Sequence, residues 1–83
     1  MEQFSAFEDA ALLGRIKRLE RAEKDLQQRT MMRISRVEAE GRWLRSDPQY
    51  QNLSSILKKV REDLHDTEEE FLRRRTAAMQ EAA

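Results

Sequence analysis

Apolar residues recur along this chain in two long stripes separated by its one proline. The first stripe is Leu12, Ile16, Leu19, Leu26, Ile34, Val37 and Leu44. At about 100° per residue, all seven fall within a band roughly 80° wide, which is the mark of a helix with one buried face. Glu23, Thr30 and Gly41 lie in the same band. The second stripe is Tyr50, Leu53, Leu57, Val60, Leu64, Thr67, Phe71, Arg74 and Ala78, with Ile56 alongside. Its steps alternate between three and four residues, the spacing of a coiled-coil seam.

Between the stripes, Ser46-Asp47-Pro48-Gln49 carries the grammar of a helix start. With Asp47 as N-cap, Pro48 takes the first helical position, where its missing amide is no loss. With Ser46 as N-cap, Gln49 completes a capping box instead. Ser5-Ala6-Phe7-Glu8 reads as a capping box for the first helix. These signals predict an all-α fold, an antiparallel two-helix hairpin of coiled-coil type in one domain over residues 1–83. Helix 1 is expected over about 5–42, the turn over about 43–47 and helix 2 over about 48–79.

Facing residues of antiparallel helices have numbers with a constant total. Leu12/Ala78, Leu19/Phe71, Leu26/Leu64 and Ile34/Leu57 total 90 or 91, and this is the expected register. It sets Gly41 opposite Tyr50, Glu23 opposite Thr67 and Ile16 beside Arg74. Alternatively, Gly41 ends helix 1 as a left-handed cap, and Trp43 and Leu44 fold back over the tip.

Composition narrows the function. Lys and Arg number 16 and Asp and Glu number 16, so the net charge is zero. Nucleic acid and acidic membranes call for a basic surplus that is not there. No cysteine is present, so there is no disulfide framework and no thiolate metal site. No apolar run approaches the roughly 20 residues of a membrane span. Met1-Glu2-Gln3-Phe4 lacks the basic start and apolar core of a signal peptide, so a soluble, cytoplasmic protein is expected.

Catalytic chemistry finds no footing. His65 is alone, Glu68-Glu69-Glu70 reads as a solvated helix face, and Arg73-Arg74-Arg75 is balanced by that acidic run. There is no Gly-rich phosphate loop and no nucleophile motif. The expectation is a non-enzymatic protein with no cofactor and no metal. A rod with one seam buries little, so it is expected to be completed by a protein partner or by dimerisation to a four-helix bundle. Phe4, Phe7, Leu13, Leu72 and Met79 are expected to form an exposed apolar patch near the termini. Met31 adds to the partner-binding set on the flank of helix 1.

Asp47-Pro48-Gln49-Tyr50-Gln51, followed by the stripe from Leu53 to Leu64, resembles the start of the second helix in the E-type co-chaperones of type III secretion, the YscE/SsaE-like proteins. The resemblance implies a short cytoplasmic hairpin that pairs with a TPR-like chaperone and keeps a needle subunit from polymerising. Gly41-Arg42-Trp43 reverses the Trp-x-Gly order of the secreted WXG-type hairpins. The chain is also more charged than the needle subunits, whose turn likewise holds proline. Two other function classes compete with the co-chaperone: a self-associating structural coiled-coil subunit, and a Rop-like RNA-binding dimer.

Overall fold

The computed structural model describes the backbone of residues 2–82 and the side chains of residues 8–81. Helix α1 spans Glu2–Ala39, a 3-10 turn spans Leu44–Ser46, and helix α2 spans Pro48–Ala82. The helices run antiparallel in a rod of 60 × 16 × 15 Å. The predicted all-α hairpin is the fold.

The helix limits differ from those expected. The backbone is already helical at Glu2, so Ser5 lies inside α1 and is not its N-cap. No Gly or Pro precedes Ser5 to interrupt the helix there. At the other end α1 stops at Ala39 instead of continuing to residue 42. Gly41 is the cause. Its φ of 69° is left-handed, a conformation open to glycine and costly for residues with a Cβ. Gly41 N donates to Glu38 O at 3.0 Å and Arg42 N to Val37 O at 3.1 Å. Together these form a Schellman cap, which satisfies carbonyls the helix end would otherwise leave open. The glycine is therefore needed for its φ and not to make room for Tyr50, since a Cβ built on it meets nothing within 4 Å. Leu44 belongs to the turn and not to the stripe of α1.

The seam buries Ile16, Val37, Leu57 and Leu64, with Thr30 and Thr67 among them. Leu12, Leu19, Leu26, Ile34, Tyr50, Leu53, Val60 and Phe71 are half-buried along the same line. The two threonines are tolerated because their hydroxyls are satisfied within their own helices. Thr30 Oγ1 donates to Leu26 O and Thr67 Oγ1 to Asp63 O, each at 2.7 Å. That back-bonding leaves only their methyl groups to pack across the seam.

The register is one heptad away from the expected one. Cross-hairpin ion pairs join Glu8 to Arg74, Glu23 to Arg61 and Arg33 to Asp47, totals of 80 to 84 and not 90 or 91. At about 1.5 Å rise per residue, the expected register would hold Glu23 and Arg61 roughly 10 Å out of level. Their side chains would also point apart, because each leans toward its own helix N-terminus. A total of 83 instead places Leu12 level with Phe71, Ile16 with Thr67, Leu19 with Leu64 and Leu26 with Leu57. Glu23 then sits level with Val60 and not with Thr67, and Ile16 is not beside Arg74. A seven-residue repeat fits both totals, since a slide of one heptad returns apolar positions to apolar positions. The turn decides between them. The segment 40–47 climbs back along α1, so that Pro48 starts about level with Ser35.

Candidate functional site

The most heavily built part of the molecule is the turn. Asp47 is the N-cap of α2: its Oδ2 accepts from Tyr50 N at 2.8 Å, and Pro48 occupies the first helical position. Of the two caps the sequence allowed, Asp47 is the one used. The same carboxylate is gripped by Arg33, whose Nε reaches Oδ2 at 2.8 Å and whose Nη2 reaches Oδ1 at 2.7 Å. Arg42 adds a third donor, Nη1 to Oδ1 at 3.2 Å, and also holds Glu40 at 2.7 Å. Asp47 is fully buried by this arrangement. Its backbone amide donates to Leu44 O, which closes the 3-10 turn.

The electrostatics follow from these bonds. Hydrogen bonds from Arg33 hold the Asp47 carboxyl far below the usual carboxylate range. Burial pushes the other way, and the Tyr50 amide and Arg42 add to the lowering. Arg33 is raised in turn, chiefly by its bond to Asp47. A fork-to-fork pair of this kind is among the strongest and most directional in proteins. Sequence reasoning missed Arg33, because it became visible as a seam residue only in the correct register.

Trp43 sits beside this lock on the rod's tip and is 80% exposed. It lines an open groove with Glu38, Arg42, Leu44 and Tyr50. The fold-back of the segment around the left-handed cap therefore leaves the indole facing solvent. An unpaired tryptophan outside both stripes was the available sequence signal.

The opposite end is less complete. Arg74 bridges Glu8 on α1 and Glu70 on its own helix, the latter at 3.0 Å. Those bonds raise Arg74, with Glu8 the larger cause, and Arg74 lowers Glu70. Arg75 lies over the Phe71 ring at 5.6 Å from its centroid. On the same helix, His65 Nε2 lies 3.0 Å from Glu69 Oε1. Asp9 Oδ1 is buried with no partner among the described residues.

Leu13 is 41% exposed, Leu72 61% and Met79 73%. In the observed register Leu13 and Leu72 lie within about 3 Å of level with one another near this end. In heptad terms both lie on the same flank of the rod, with Met79 one heptad beyond Leu72. Met31 is also exposed but stands eighteen residues from Leu13, about 27 Å along the axis, so it is not part of that cluster. It neighbours the exposed Met32 on the shaft. The side chains of Phe4 and Phe7 lie outside the described residues.

Among the described residues, no group of three or more His, Cys, Asp or Glu is placed to hold a metal ion. No helix among them is long and apolar enough to cross a membrane. A groove along α2 between Ser54 and Asp66 is open to solvent. No protein-family model, curated protein or solved structure matches the chain.

Proposed function

We propose that this chain is a non-enzymatic protein-interaction module, a cytoplasmic helical-hairpin co-chaperone or adaptor that docks its open end onto a helical partner. The observation that carries the reading is the neighbouring pair Leu13 and Leu72, with Met79 beyond them, exposed at the open end. Exposed apolar groups gathered in one place favour association more than the same groups scattered. If the resemblance carried by Asp47-Pro48-Gln49-Tyr50-Gln51 extends to function, the partner is a TPR-like chaperone together with a type III secretion needle subunit.

The test is a double substitution, Leu13→Asp with Leu72→Asp. Association measured by light scattering and by partner titration should fall at least about tenfold, while helix content stays unchanged by circular dichroism. Unchanged association places the docking surface elsewhere. A second reading, self-association into a four-helix bundle, is favoured by Met31, Met32 and Ile56, which extend the exposed apolar surface along the shaft. A concentration-independent dimer of the isolated chain supports that reading over the first.

A further inference from the structure

We infer that the hairpin has two packing registers one heptad apart, and that the Asp47–Arg33–Arg42 cluster is the latch that selects the observed one. The seam does not select it. With a total of 83, the apolar layers are Leu12/Phe71, Leu19/Leu64 and Leu26/Leu57. With a total of 90 they become Leu19/Phe71, Leu26/Leu64 and Val37/Leu53, and Leu12 meets Ala78. Neither register is free of mismatch: Glu23 meets Val60 in one, and Ile16 meets Arg74 in the other. The threonines are neutral to the choice, because each spends its hydroxyl on its own helix.

Loop length does not select the register either. The eight residues 40–47 reach up to roughly 25 Å when extended. Packed helix axes lie about 10 Å apart. Adding an axial step of about 5 Å, either register needs well under that reach.

Three contacts do discriminate. Sliding α2 by one heptad toward the tip moves it about 10 Å along α1. It pulls Asp47 away from Arg33 and separates Glu8 from Arg74 and Glu23 from Arg61. The last two pairs are solvated, with Glu8 55% and Arg61 51% exposed, so they hold weakly. Only the first is desolvated, bidentate and fixed to the backbone through the Tyr50 amide. The latch therefore carries most of the selection.

The slide has a consequence at the far end of the rod. It replaces Leu72 by Met79 beside Leu13, so the state of the turn sets which apolar groups the open end presents. A partner that takes Arg33 or Arg42 from Asp47 at the tip would remodel that surface without touching it. Such coupling needs only a two-state element that both ends bias.

Disulfide trapping reads the register, helped by the absence of native cysteine. Thr30→Cys with Leu53→Cys reports the observed register, and Thr30→Cys with Val60→Cys reports the slid one. With the latch intact, the Leu53 pair should close within one chain and the Val60 pair should close at least about tenfold more slowly. In an Arg33→Gln background, which keeps the Asp47 cap, Val60 trapping should rise at least fivefold. The same rise should appear with Asp47→Ala wherever circular dichroism shows the helices intact. Trapping that stays confined to Leu53 in the Arg33→Gln background overturns the proposal. So does a disulfide that forms only between chains, which would mean that the helices swap and do not slide.

Discussion

Asp47 at the turn is 1% exposed in its side chain and accepts from one backbone amide and two guanidinium groups. Arg74 at the open end is 36% exposed and holds two carboxylates, Glu8 and Glu70, that are themselves partly solvated. The chemistry is the same, cation against carboxylate, yet the two are not equivalent. A solvated pair is screened by water and loses side-chain entropy when it forms, so it contributes little. A desolvated carboxylate that is also a helix cap cannot lose one partner without being stranded. The turn is therefore specific where the open end is permissive.

The sharpest way to break the comparison is through the seam. Leu57 is nearly buried, so Leu57→Ala should cost about 2–4 kcal/mol and lower the thermal midpoint by more than about 10 °C. Leu12 near the open end is only half-buried, and Leu12→Ala should cost about half as much. Equal losses, read by thermal circular dichroism, would mean that the two ends are equally tight.

Next come the ionic groups. Asp47→Ala removes a cap and strands Arg33, and its loss of thermal stability should be roughly double or more that of Arg74→Ala. Comparable midpoints for the two variants would erase the distinction drawn between the ends.

The glycines give opposite signs for one substitution. Gly41→Ala places a Cβ at a φ of 69° and should destabilise by about 1 kcal/mol. Gly14→Ala, inside α1 with open space around it, should stabilise by about 0.5–1 kcal/mol. Chemical denaturation midpoints check both.

The last comparison is in acid. Asp47 and Glu70 have folded pKa values held below their ordinary ones. Below the unfolded value of about 4 the unfolded chain binds more protons than the folded one, so stability falls as pH drops. The contribution is fully present above that pH and is lost progressively beneath it, toward the lower folded values. Asp47→Asn should flatten the decline, because it deletes the more strongly shifted of the two groups.

Much of this fold was legible in the sequence. The stripes gave both helices and their buried faces, and Ser46-Asp47-Pro48 marked the start of α2, with its cap open between Ser46 and Asp47. The register was not legible, because Leu19 finds an apolar partner in Leu64 and in Phe71 alike. What breaks that tie is the Arg33–Asp47 pair, a contact between residues that no periodicity links. Gly41 carried both readings, a gap for Tyr50 or a left-handed cap, and only its backbone angle separates them. The exposed Leu13, Leu72 and Met79 were legible as off-seam positions. Trp43 was legible only as a residue outside both stripes; its exposure was not, since its placement follows from the fold-back around Gly41.

The Arg33–Asp47 contact closes a separation of 14 residues, whereas Glu8–Arg74 closes one of 66. Chain-closure entropy alone makes the shorter loop easier to close by about 1.4 kcal/mol. Folding should therefore begin at the turn and zip outward, with α2 growing from a start that is already capped. Substitutions at Asp47 should then slow folding, and those at Leu12 or Phe71 should chiefly speed unfolding. In stopped-flow mixing the molecule would show its polarity as a direction in time, with the tip assembled before the ends meet.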